Sequence, residues 1–146
     1  MNDYDPNYIA KKVYALVGQK AVVLNLDNKI LLLQRSVRSG AGGKWSLPGG
    51  AIEYNEDPFI AIRREIIEET QLKITDVVPF HIKSSINEDG DFIVVIGYQC
   101  KTETPDVILN WEHVNFKWLT KKQALEFDLT EDARIFIKHY QPANEF

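Results

Sequence analysis

Residues 50–72 read GAIEYNEDPFIAIRREIIEETQL: a glycine, a short polar and acidic run, then an uninterrupted stretch with helical spacing. Asn55 can cap, Glu56 and Asp57 suit the positive end of a helix, and Pro58 is tolerated in a first turn, so the pattern predicts a helix over 56–70. At about 100° per residue, Glu65, Glu68 and Glu69 fall within a sector of roughly 100°. Phe59, Ile62 and Ile66 form a neighbouring stripe and Ile60 with Ile67 another, so the helix is expected to be gripped on two sides with its acids between. Most clusters of charge are solvated faces. This one has a cost, because like charges three and four residues apart repel by about 0.2–0.5 kcal/mol per pair. A solvated face would interleave lysines, whereas here Arg64 is the evident partner, four residues before Glu68. A divalent cation would remove the conflict. Carboxylates without histidine or thiolate select hard ions, which favours Mg2+ and admits Mn2+.

Working outward, SGAGGKWSLPGG (39–50) is rich in glycine and carries Trp45 and Pro48, the composition of an irregular loop. Gly49 and Gly50 allow a tight turn and close backbone approach just before the acidic helix. Further upstream, apolar runs at 20–26 and 30–35 broken by Asp27 and Asn28 predict a hairpin. Downstream, 72–86 and 91–101 read as two strands joined through NEDGD, with Pro79 marking a break or a sheet edge. NFKWLT predicts a last short strand, and Thr120 and Thr130 each open a terminal helix. Strands in series, one helix after the third apolar segment and helices at the end predict an α/β fold with a mixed sheet between helices.

The chain has 146 residues, enough for one domain, 1–146, and too few for two ordinary ones. Its formal net charge of -4 offers no global attraction for nucleic acid, so a polyphosphate ligand would need local cations or bound metal. The single cysteine, Cys100, cannot form an internal disulfide, and the acidic, polar N-terminal stretch does not read as a secretory leader. These features fit a cytoplasmic protein. His81, His113 and His139 show no ligand spacing and read as structural or exposed.

Taken together, residues 50–72 resemble the signature of the Nudix hydrolase family: glycine, five residues, Glu, seven residues, Arg-Glu, an aliphatic residue, any residue, Glu-Glu, any residue, glycine, aliphatic. Gly50, Glu56, Arg64, Glu65, Ile66, Glu68, Glu69 and Leu72 are in register, and Gln71 stands where the motif has its last glycine, a helix C-cap position. The flanking WSLPG and EHVNFKWL segments also look like the family. The resemblance implies a Nudix-type α/β/α sandwich and hydrolysis of nucleoside diphosphates linked to another group, with water attacking phosphorus. It implies that Glu65 and Glu69 bind metal most directly, that Glu68 joins them or bridges a second ion, and that the Gly49 carbonyl completes the shell. By the same carry-over, Arg64 fixes a glutamate by salt bridge and Glu56 orients Glu65. Glu112, in the loop before the last strand, is the candidate for a further carboxylate acting as base or ligand.

The partner implied is a small nucleotide, not a membrane and not nucleic acid; the family's frequent dimers leave a homodimer open. Among subfamilies, RSVRSGAGGKWSLPGG looks like the nucleoside-triphosphate pyrophosphatases, and the proline expected of ADP-ribose pyrophosphatases is missing beyond the motif. Arg35, Trp45 and Gly50 are the expected substrate contacts, with Trp111 and Tyr98 as further stacking candidates for a base, core packing being the more common fate of a tyrosine inside a strand. A nucleotide-sensing Nudix module, an ADP-sugar pyrophosphatase, an RNA-end hydrolase and an inert acidic domain are the competing readings. Retention of every charged motif residue favours an enzyme over a sensor, and the absence of a basic patch argues against RNA.

Overall fold

The computed structural model describes residues 4–142; the first three residues of the polar N-terminal stretch lie outside the described residues. Six strands and three helices follow in the order β1 (Leu16–Leu24), β2 (Ile30–Arg35), β3 (Trp45–Ser46), α1 (Pro58–Thr70), β4 (Ile74–Ile86), β5 (Phe92–Thr102), β6 (His113–Leu119), α2 (Lys121–Ala124) and α3 (Glu131–His139). The sheet runs β3-β2-β1-β5-β4, with β6 added on β2. It is mixed: β1 and β5 pair in parallel from Leu16↔Ile93 to Leu24↔Lys101, and the other ladders are antiparallel.

Alternation along the strands sends side chains to two cores, one on each face. Val22, Leu24, Ile30, Leu32, Trp45 and Leu47 pack against Ala133, Phe136 and Ile137 of α3. On the other face Ala21, Val23, Leu31, Leu33, Tyr98 and Cys100 pack against Ile62 and Ile66 of α1. The result is the expected α/β/α sandwich. Helix α1 is gripped on one side only, however: Ile60 and Ile67 are 63% and 45% exposed, because the sheet meets only the Ile62–Ile66 stripe.

The sequence signals work locally with small displacements. Asp57, not Asn55, caps α1, its Oδ1 accepting the N–H groups of Phe59 (2.9 Å) and Ile60 (3.1 Å). Asn55 instead takes a left-handed φ of 61° in the preceding turn. At the other end Gln71 is the C-cap in the left-handed region (φ 59°, ψ 16°), the conformation that glycine serves at lowest cost. Thr120 and Thr130 cap α2 and α3 as expected. Pro79 lies in β4, the edge strand, beside a register shift between Pro79 and His81. Strand β1 starts four residues earlier than its apolar run, since parallel pairing to β5 holds the polar Gln19 and Lys20 as well.

One junction positions the site. β1 and β2 share a single register pair, Leu24↔Ile30. Beyond it, residues 48–52 run beside β1 in place of β2: Ala21 N–H donates to the Pro48 carbonyl, Gln19 N–H to Gly50 and Ile52 N–H to Val17, each at 2.9 Å.

Candidate active site

The glycine pair is where this loop meets α1. Gly49 has φ +144°, and a Cβ there would lie 2.0 Å from the Gln19 carbonyl oxygen. At Gly50 a Cβ would lie 2.5 Å from the Glu65 carboxylate. A side chain at either position would push the loop off β1 or the acid out of its place, so the two glycines fix the contact between backbone and helix.

The three expected acids do not share one environment. Glu68 is exposed, Glu65 is half-buried, and Glu69 is 1% exposed, turned from the acidic face into the junction with the sheet. Arg64 holds the outer part together. Its main partner is Glu56, with Nε–Oε2 2.7 Å and Nη2–Oε1 2.9 Å, and its Nη1 also reaches Glu65 at 3.0 Å and Glu68 at 3.4 Å. The bidentate hydrogen bond from Arg64 holds the Glu56 carboxyl down to about 2. Glu56 therefore acts on Glu65 through Arg64, where direct hydrogen bonding was expected. Burial raises the Glu65 carboxyl above its ordinary value despite Arg64, with Glu68 and Glu112 adding like charge.

Glu69 is more strongly perturbed. Burial pushes its carboxyl up to about 8, and the charges of Glu112 and Glu65 add to this against an opposing Lys20. Oε1 accepts the Gly49 N–H at 3.3 Å, while Oε2 is buried without a hydrogen-bond partner among the described residues. His113 Nδ1 stands 3.8 Å from that Oε2. The distance suits an ion pair, but burial, with Arg35 and Lys20 nearby, pulls the imidazole down to about 4, so both groups are neutral near pH 7 in the metal-free protein. Lys20 Nζ lies 3.5 Å from the Gly49 carbonyl. Sequence reasoning missed both residues. Lys20 sits in an apolar run with no motif around it, and His113 reaches α1 only because of a local irregularity in β6.

Glu112 precedes β6. Its charge is felt by Glu65 and Glu69, its backbone carbonyl accepts from Ser36 N–H (2.8 Å) and Ser39 Oγ (2.7 Å), and its carboxylate makes no hydrogen bond among the described residues. Next to it opens a cleft of about 440 Å³ lined by Arg35, Arg38, Val37, Trp111 and Val114. Trp111 is 68% exposed there. Trp45, the expected stacking residue, is instead 8% exposed, edge-on to Phe127 at 5.2 Å and hydrogen-bonded through its backbone to Asp128 and Thr130, so its ring belongs to the core. Tyr98 is likewise buried, its hydroxyl accepting from Gln19 Nε2 at 2.6 Å. Arg35 turns its guanidinium to the carbonyls of Ser39 and Gly40, bracing the loop over the cleft.

The donor set fits a hard divalent cation. Glu65, Glu68, Glu69 and the Gly49 carbonyl are all oxygen donors, and Glu69 presents a buried oxygen with nothing to satisfy it. Among the described residues no three His, Cys, Asp or Glu side chains already meet as a metal cage; the Arg64 guanidinium lies between Glu65 and Glu68.

Comparison with known proteins bears on this arrangement. The family model described as NUDIX domain matches residues 16–140. A protein named nucleoside triphosphatase NudI from Enterobacter sp. (strain 638) is 30% identical over 124 residues, 78% of this chain and 88% of the relative. Its namesake from Escherichia coli O81 (strain ED1a) is 29% identical over 106 residues, 66% of this chain and 75% of the relative. Among solved structures, a MutT protein from Methanosarcina mazei Go1 superposes with a TM-score of 0.74 at 25% identity, covering 88% of this chain and 94% of that one. A MutT NUDIX hydrolase from Burkholderia pseudomallei gives 0.75 at 25% identity, covering 88% and 100%.

Proposed function

Since the chain belongs to the Nudix hydrolase family and is a pyrophosphohydrolase, we propose that it hydrolyses the diphosphate linkage of nucleoside triphosphates in a magnesium-dependent reaction, as a single cytoplasmic catalytic domain. The observation that carries this reading is the contact of Gly50 with Glu65 and of Gly49 with Glu69, whose second carboxylate oxygen is buried without a hydrogen-bond partner among the described residues. The nucleoside triphosphatases at 29–30% identity support the choice of substrate. Among the described residues no helix is long and apolar enough to cross a membrane.

Each residue then has a part. Glu65, Glu69 and the Gly49 carbonyl would hold Mg2+, with Glu68 at the exposed side and Mn2+ as a substitute. When bound, the ion neutralises the substrate's diphosphate charge and lowers the pKa of an attacking water. Glu56 and Arg64 keep Glu65 in place, and Gly50 leaves the space that its carboxylate fills. The Glu112 carboxylate, free of hydrogen bonds, takes the proton from water as general base. Lys20, half-buried beside Gly49, supplies positive charge near the phosphates. Trp111 offers its face to the nucleobase, and Arg38 lines the same cleft.

The test is a panel of deoxynucleoside and ribonucleoside triphosphates and ADP-sugars, assayed for phosphate and pyrophosphate release with and without Mg2+, with Glu69→Gln in parallel. Metal-dependent turnover of triphosphates, lost in the variant, is the expected result. Turnover of ADP-sugars alone would replace the substrate class, and silence across the panel with Mn2+ still bound would turn the reading to a nucleotide-sensing module.

A further inference from the structure

His113 is a buried polar side chain that the proposed chemistry leaves without a task. It is 5% exposed, and neither ring nitrogen has a hydrogen-bond partner among the described residues. An unsatisfied buried donor or acceptor is destabilising, because it has left water without a replacement partner. The carboxylate it faces is in the same condition: Glu69 Oε2 is buried, unpartnered and 3.8 Å from His113 Nδ1. Two groups that lack a partner thus stand opposite each other, one able to donate and the other able to accept.

Their meeting depends on a β-bulge. Along β6, Phe116 pairs with Leu33 and Asn115 with Gln34, but Arg35 then pairs with His113, skipping Val114. Regular alternation would send His113 to the face of the sheet away from α1, with Lys117 and Asn115. The extra residue switches it to the α1 face, shared with Leu31, Leu33 and Phe116, and leaves Val114 63% exposed. The strand gives up a regular pairing and exposes a valine, and the outcome is an imidazole against Glu69.

We propose that His113 is the positioning residue for Glu69, its Nδ1–H closing from the present 3.8 Å to donate to Oε2 when the carboxylate holds a divalent ion, so that this oxygen and the Gly49-bound Oε1 are both fixed. The inference rests on the reading of Glu69 as a metal ligand. Outer hydrogen bonds of this kind orient ligating carboxylates, and their loss weakens metal affinity roughly 10- to 100-fold.

Two variants of the full chain separate orientation from packing. His113→Leu fills the space without a donor, and His113→Asn places an amide N–H where Nδ1 stands. Mn2+ binding is measured by the free-ion signal in electron paramagnetic resonance, alongside melting in EDTA. The expected result is a loss of Mn2+ affinity of roughly 10- to 100-fold in His113→Leu without a matching loss of melting temperature, and affinity within a few-fold of wild type in His113→Asn. Equal affinity in all three proteins overturns the inference, as does an asparagine variant that binds no better than leucine. If leucine does not fold, the asparagine variant alone decides: near wild-type affinity supports the donor, a loss on the scale of 10-fold or more overturns it. A wild-type chain that binds no Mn2+ would instead remove the metal reading beneath it.

Discussion

In metal-free protein, Glu69→Gln is expected to raise stability by an amount that grows with pH. Glu69 is 1% exposed and burial pushes its carboxyl up to about 8, while in the unfolded chain it titrates near its ordinary 4.5. Below pH 4.5 the carboxyl is neutral in both states and carries no penalty. As pH rises from about 4.5 to about 8 the unfolded chain ionises first, so stability is progressively lost; above about 8 the loss is complete. At roughly 1.4 kcal/mol per pH unit, the penalty is about 3 kcal/mol at pH 7 and on the order of 5 kcal/mol at pH 9. Glutamine is neutral throughout and still accepts from Gly49 N–H. For a chain of this size the gain amounts to a melting temperature higher by roughly 10 °C at pH 7. The assay is thermal and urea unfolding of both proteins in EDTA at pH 5, 7 and 9, repeated with Mg2+. Wild type should recover stability with Mg2+ and the variant should not. His113, held down to about 4 against an ordinary 6.5, contributes an opposite slope in both proteins, stability being lost as pH falls from about 6.5 to 4. Parallel pH profiles in EDTA, or a variant less stable than wild type at pH 9, would refute the reasoning.

Gly50→Ala sets a methyl group 2.5 Å from the Glu65 carboxylate; kcat should fall on the order of 100-fold, with Mn2+ affinity falling alongside, and an unchanged rate would remove Gly50 from the site. Gln71→Gly relieves a left-handed C-cap, so urea unfolding should show a gain of about 0.5–1 kcal/mol with kcat unaltered. Trp111→Ala should raise KM for a triphosphate about tenfold at near-constant kcat, with Trp111→Phe retaining most of the affinity through its ring; an equal fall in kcat would place Trp111 elsewhere in the mechanism. Cys100, whose thiol burial pushes up to about 12, should resist alkylation in the folded protein at pH 8 and react at once in urea, as counted by thiol titration.

The sequence makes the fold legible where one periodicity decides a whole element. Helix α1, the β4–β5 hairpin and the threonine caps of α2 and α3 follow from local chemistry that tertiary contacts reinforce. Helical spacing also put Glu65, Glu68 and Glu69 on one sector, yet it could not separate them, because that depends on how far around α1 the sheet reaches. The same limit explains Ile60 and Ile67: an apolar stripe says what a helix can bury, not whether a partner arrives. Trp45 was misread because a lone aromatic in a glycine-rich loop looks available, whereas the pairing of that loop with residues 128–130 draws the ring inward. His113 was invisible for a sharper reason. Strand alternation assigns it to the wrong face, and a one-residue bulge leaves no mark in composition.

The replacement of β2 by residues 48–52 along β1 ties the fate of two properties together. Gly49 and Gly50 lie in the segment paired with β1 and beside the Glu69 and Glu65 carboxylates at the same time. On the proposed function a change there would be felt by folding and by turnover at once. The braced loop 36–44 and Trp111 bear no such double duty. On the proposed function, selection for a new base would rewrite that rim while the hydrolytic centre stays as it is, a durable cutting tool with an exchangeable handle.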